Sequence, residues 1–382
     1  MNWLNQRARQ HLIDWRAAGL ERTPSVFSAG QEPVCTIDGR EYVLFSSSNY
    51  LGLAEHPEVT AAAEQALQLF GAGSGGSRLT TGTTGLHTQV ERAFADFLGY
   101  EDAVFFSAGF LANTGVLQAL AGPDTLILSD ERNHASIIDG CRLAKAAGAA
   151  VVVCRHRDPA HVDELLAQHR GDALVVTDGL FSMDGTLAPV PELLAVCRSH
   201  GAALMVDDAH GTGTLGATGR GINEHFALDG DRPDILVATA SKALGVEGGA
   251  VAASAPVAAL LRQKARTFVY STSSTPATCA AVVAALGVVE GEGSPVKALH
   301  RNIARLTEHL GMGQWPSPII PVPVGDEARA VQAADTLRQA GFFVPAIRWP
   351  TVPRGAAMLR VTVMATHTDE QIDGLAHAIS QL

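Results

Sequence analysis

Seven short apolar runs, each separated from the next by a stretch of helical periodicity, constrain this chain more than any other feature. They are AVFFS (103–107), TLILSD (125–130), AAVVVCRH (149–156), ALVVTDG (173–179), ALMVDDAH (203–210), DILVATAS (234–241) and GAVAAS (249–254). Between them lie patterns such as PAHVDELLAQH and VPELLAVCRSH, whose apolar residues recur at helical spacing. A strand that is apolar on both faces has no side to give to water. Such runs belong in a mostly parallel sheet covered by helices, so an α/β fold with a seven-stranded sheet is expected.

The flanks read differently. Residues 3–20 form an amphipathic helical pattern, and CTIDGREYVLFSS reads as a hairpin turning at Asp38-Gly39. After about residue 280 a long helix, TPATCAAVVAALGVVEG, leads into helices around 296–311 and 326–340 and strands near 317–324, 342–347 and 358–363. The expected division is an N-terminal segment (1–55), a large domain (56–280) and a smaller C-terminal α+β domain (281–382).

Composition narrows the function. The formal charge of −11 offers no basic face for nucleic acid or an anionic membrane. No apolar run approaches the roughly 18–20 residues that span a bilayer. The N-terminal stretch is charged and has no signal-peptide core. Five scattered cysteines without a C-x-x-C pair read as free thiols in a reducing compartment, so the cytoplasm is expected.

Two stretches match G-x-G-x-x-G: Gly71–Gly76 and Gly211–Gly216. A dinucleotide site needs a strand before the glycines and a helix after them. A helical pattern precedes the first, and a second Gly-rich loop follows the other. A nicotinamide-dependent dehydrogenase is therefore the distant alternative.

The lysines say more. Of only four, Lys145, Lys264 and Lys297 lie on helical patterns where solvated faces explain them. Lys242 follows an apolar run, with Glu247 as its only close charge. Desolvation there lowers an amine's pKa and makes it nucleophilic, although a lysine snorkelling from a strand end would look the same. Upstream, ALMVDDAH ends a buried strand in Asp207 and Asp208, where α/β sheets bind ligands. A helix cap or metal ligand is the plain reading of such acids; no metal-ligand spacing accompanies them, and no metal site is expected. Together with Lys242, Asp207 suits pyridoxal phosphate (PLP), whose ring nitrogen needs a carboxylate partner. Ser107, Ser182, Thr239, Ser241 and the run after Tyr270, with the backbone N–H groups of Gly109 and Phe110, offer a phosphate cradle. His134 could stack on a planar ring or simply cap a helix.

At this point the chain resembles the α-oxoamine synthases, PLP enzymes of fold type I, across roughly residues 20–375. The motifs are SNYLGLAEHP (48–57), GSGGSRLTTGTTGLH (73–87), NHAS (133–136), TDGLFSMDG (177–185), VDDAHGTG (206–213), TASKALG (239–245) and YSTS (270–273). The segment AIRWPTVPRGAAMLRVTV (346–363) is similar to the branch that condenses L-alanine with a pimeloyl thioester, on coenzyme A or acyl carrier protein. A glycine-using synthase of the same family, such as a glycine C-acetyltransferase, is the near alternative. The resemblance implies that Lys242 carries the cofactor, Asp207 pairs with its ring nitrogen, His134 stacks on the ring and His210 meets its phenolic oxygen. It implies that Gly109, Phe110, Ser182 and Thr239 hold the cofactor, while Thr272 reaches the phosphate of a partner subunit in a homodimer with shared sites. It further implies that Arg360, with Asn49 nearby, grips the amino-acid carboxylate, and that Arg22, Arg348 and Thr351 line the acyl entrance. Trp349 and Met358 depart from the branch's usual proline and arginine at that entrance.

Overall fold

The computed structural model describes residues 2–21 and 23–382. Strands β1 (Val34–Ile37) and β2 (Arg40–Leu44) form the expected hairpin. Asp38 and Gly39 between them both have positive φ, 50° and 79°, as a two-residue type I′ turn demands.

All seven apolar runs enter one sheet. Its strands are β3 (Asp102–Phe106), β4 (Thr125–Asp130), β5 (Ala150–Cys154), β6 (Asp172–Asp178), β7 (Ala203–Asp207), β8 (Ile235–Thr239) and β9 (Gly249–Ala253), in spatial order β3-β9-β8-β7-β6-β4-β5. Pairing is parallel from β5 through β4, β6 and β7 to β8, whereas β9 runs antiparallel to both β8 and β3. The cause is the link 240–248, which is shorter than the dozen or so residues a parallel crossover needs. The chain must turn straight back, and Lys242 sits in that turn.

Successive residues of six of these strands enter opposite cores; β5, at the sheet edge, departs from the expected burial on both faces and exposes Val152 and Val153. Val104, Ile127, Val176, Met205, Val237 and Val251 pack in one cluster; Phe105, Leu128, Val175, Leu204, Leu236 and Ala252 pack in the other. This alternation is the physical meaning of a continuously apolar strand, with each buried aliphatic contributing about 1.5–3 kcal/mol. The sheet is thereby rigid, and its strand ends are fixed platforms for side chains.

The C-terminal part holds β10 (Ile319–Gly325), β11 (Phe342–Phe343), β12 (Ala346–Ile347) and β13 (Ala357–Thr362), with helices Val296–His309 and Glu327–Gln339. One expectation is corrected here. Residues 342–347 are two strands in two sheets, not one: β11 extends the hairpin sheet alongside β2, while β12 and β10 flank β13. Pro345 between them has no N–H to continue a ladder. Its carbonyl accepts instead from Arg360 N at 3.1 Å. The segment after β2 is fastened the same way, with Thr362 N donating to Phe45 O and Ala365 N to Tyr50 O.

Helix Trp3–Ala17 has no buried residue. No helix among the described residues is long and apolar enough to cross a membrane.

Candidate active site

The carboxyl ends of β3, β6, β7 and β8 open onto a cavity of about 250 Å³. Gly109, Phe110, His134, Ser182, Asp207, His210, Thr239 and Lys242, all expected from sequence, line it together. A larger cleft of about 1130 Å³ between Leu215–Ala217, His225 and helix Val296–His309 contains no lysine and lies apart from this group.

Asp207 ends β7, and its Oδ1 accepts the N–H of Ala209 at 3.0 Å. Its Oδ2 accepts from Asn113 Nδ2 at 2.6 Å. Asp208 faces the other way, as strand alternation requires. Its Oδ2 takes Ile222 N and Thr212 Oγ1, both at 3.1 Å. The loop holding Gly211–Gly216 wraps this carboxylate so closely that a Cβ on Gly211 would fall 2.0 Å from Asp208 Oδ1. After Gly216 the chain passes through further turns before the four-residue helix Ile222–His225, whose first N–H is taken by Asp208, so the glycines do not open directly onto a helix N-terminus as a dinucleotide site requires.

Burial lowers the pKa of Lys242; Asp207 and Asp178 oppose that effect and Arg360 adds to it. Asp178 is the register partner of Asp207 on the adjacent strand. Burial, then the neighbouring Asp207, pushes its carboxyl well above the usual range. Asp178 Oδ2 accepts the backbone N–H of His134 at 3.1 Å. The ring of His134 caps helix Ala135–Ala146, with Nδ1 accepting from Ser136 N, so the plain capping role and a place in the cavity coexist. His210 is held well below its ordinary pKa, first by burial and then by Lys242 and Arg360. Its Nδ1 meets Tyr50 OH at 2.8 Å. Arg360 is buried and does not itself line the cavity; its Nε donates to the backbone O of Ser182, which does, at 2.6 Å.

Other expected residues stand apart from the cavity. Thr272 is exposed and bridges to Ser77. Arg348 donates to Gly19 O at 2.6 Å, Thr351 is exposed in the following turn, and Asn49 Oδ1 accepts from Ala54 N at 3.3 Å. Arg22 lies outside the described residues. Sequence reasoning did not single out Asn113, Ser136, Tyr50 or Asp178. A polar asparagine inside the apolar helix GFLANTGVLQAL was the available signal for Asn113.

The donor set fits PLP. Helix Gly109–Leu120 begins without a side-chain cap, leaving its first N–H groups at the cavity beside Thr239 and Ser241. Gly249 permits this placement, since a Cβ there would lie 2.5 Å from Gly109 Cα. An anion cradle, an amine and a carboxylate thus share one small space, matching a phosphate, an aldehyde and a basic ring nitrogen.

Known proteins agree. The family model for aminotransferase class I and II matches residues 40–379. A putative 8-amino-7-oxononanoate synthase from Desulfovibrio desulfuricans is 48% identical over 94% of this chain and 94% of its own length. The biotin biosynthesis bifunctional protein BioWF of Corynebacterium kroppenstedtii is 46% identical over 98% of this chain, which spans only 58% of that longer protein. Among solved structures, a serine palmitoyltransferase variant from S. paucimobilis with a bound PLP–myriocin aldimine superposes with TM-score 0.92 at 30% identity, covering 100% of this chain and 98% of that one. The cavity's lysine, acid and anion cradle and these likenesses coincide on one conclusion: the chain belongs to the class I and II aminotransferase family of PLP-dependent enzymes, alongside the 8-amino-7-oxononanoate synthases.

Proposed function

We propose that this chain condenses L-alanine with a pimeloyl thioester, releasing CO₂ and the free thiol carrier and forming 8-amino-7-oxononanoate for biotin synthesis. The observation that carries the reading is the convergence of Lys242, Asp207 and an uncapped helix N-terminus on one cavity, in a chain similar over its length to 8-amino-7-oxononanoate synthases.

PLP, when bound, supplies an electron-withdrawing ring that stabilises negative charge developing at the amino acid's α-carbon. Gly109 and Phe110 N–H groups, with Thr239 and Ser241, hold its phosphate, and Asp207 keeps its ring nitrogen protonated. Lys242, more readily neutral than an exposed lysine, takes the α-proton of alanine. Arg360 orients the alanine carboxylate. His134 donates a hydrogen bond to the thioester oxygen as charge grows there, a contribution typically worth about 2.7–4 kcal/mol. Arg22, Arg348 and Thr351 admit the acyl chain, and Thr272 serves the partner site of a homodimer. The cytoplasm suits five buried cysteines that are all free thiols.

The test is thiol release by the purified protein with alanine, glycine or serine against pimeloyl-CoA, pimeloyl-acyl carrier protein and acetyl-CoA. Alanine with a pimeloyl donor is expected to be the best pair. Preference for glycine with acetyl-CoA would move the chain to the glycine-using branch.

A further inference from the structure

Asp207 and His134 are joined through two intervening side chains. Asn113 Nδ2 stands 2.6 Å from Asp207 Oδ2 and 2.9 Å from Ser136 Oγ. Ser136 Oγ stands 2.7 Å from His134 Nδ1. Asn113 and Ser136 are 2% and 1% exposed, so water does not compete for these bonds.

The direction of donation along this chain is forced. An ionised carboxylate only accepts, so Asn113 must turn its NH₂ toward Asp207. The reverse orientation would set two oxygens against each other at that short distance. The cost of the chosen orientation is visible: Asn113 Oδ1 is buried with no hydrogen-bond partner. The second amide N–H donates to Ser136 Oγ, which frees the serine O–H to donate onward to His134 Nδ1. Ser136 N also points at Nδ1, at 3.3 Å. With two donors converging on Nδ1, the ring proton belongs on Nε2. Among the described residues Nε2 has no hydrogen-bond partner.

We infer that Asn113 and Ser136 are positioning residues through which Asp207 fixes His134 as its Nε2–H tautomer, so that the ring offers a donor to what occupies the cavity. What that donor serves rests on the function proposed above; the tautomer itself does not. As the new carbon–carbon bond forms, the thioester oxygen gains negative charge. An Nε2–H would stabilise that charge, whereas the other tautomer would present a lone pair and repel it.

The test is ¹⁵N NMR of the histidine rings in the full chain, with and without PLP, the His134 signals being assigned by their loss in His134→Gln. Wild type is expected to show an unprotonated Nδ1 and a protonated Nε2. Ser136→Ala should move both nitrogens toward averaged values and lower kcat about five-fold, as loss of one hydrogen bond implies, with KM little changed. Ser136→Thr should restore both readouts. Asn113→Leu should mimic Ser136→Ala; if it fails to fold, the Ser136 pair decides alone. A proton found on Nδ1 in wild type, or wild-type shifts persisting in Ser136→Ala, would overturn the relay. Correct shifts without alanine-dependent thiol release would uphold the relay and refute the proposed function instead.

Discussion

Asp207 and Asp208 are consecutive in the chain yet serve opposite sides of it: the first lines the cavity and accepts from Asn113, while the second is sealed under the glycine-rich loop and accepts from Ile222 and Thr212. Asp207→Asn is therefore expected to bind PLP and lose most activity, because an amide cannot hold a proton on the ring nitrogen. Asp208→Asn keeps an accepting oxygen for both of its donors and should retain most activity. Steady-state rates of the two variants, with PLP content measured by absorbance, check this. Equal impairment would remove the basis for choosing between the acids.

The same pair yields a stability prediction. Burial raises the pKa of Asp208 to about 8, from 3.8. A carboxyl raised on folding favours the native state while protonated, so its contribution is present at low pH and is lost as pH climbs from about 4 through about 8. Asparagine at this position does not titrate. The Tm of Asp208→Asn relative to wild type should therefore rise between about pH 5 and about pH 8. Parallel Tm profiles would show that Asp208 is already ionised in the native state.

Much of this was legible in the sequence because burial writes itself into composition. Six of the seven apolar runs became strands whose two faces both enter cores, the edge strand β5 being the exception, and Asp207 and Lys242 stood out as polar residues ending such runs. Asn113 did not, because its meaning depends on Asp207, distant in sequence and brought alongside only by the sheet. The break at Val344-Pro345 did carry a local signal, since a proline cannot continue a ladder, but only the tertiary arrangement assigns the halves to different sheets.

Lys242 should be the single lysine that borohydride links to PLP. Lys145, Lys264 and Lys297 are all exposed, and none lines the cavity. A charged, solvated amine attacks an aldehyde poorly, whereas burial lowers the pKa of Lys242. Lys242→Ala is expected to fold and to have no measurable turnover. Peptide mapping after reduction is the check, and an adduct on another lysine would sink the assignment.

The final prediction concerns Thr272, which is exposed and absent from the cavity of its own chain. If it reaches the phosphate in a partner's cavity, PLP binds the dimer better than the monomer, and dilution should release cofactor and separate subunits together. Thr272→Ala should weaken PLP binding by about 1.5–3 kcal/mol, the worth of a hydrogen bond to a charged group. A mixing experiment decides whether the site is shared. Thr272→Ala and Lys242→Ala subunits are combined at a PLP level that leaves the Thr272→Ala homodimer largely empty. In a shared-site hybrid, one site joins the intact Lys242 of one subunit to the intact Thr272 of the other, and the second site carries both defects. Random equal mixing makes half of all dimers hybrids with one good site each, so activity should recover to about a quarter of wild type. No recovery despite demonstrated subunit exchange would place Thr272 and Lys242 in the same subunit's site.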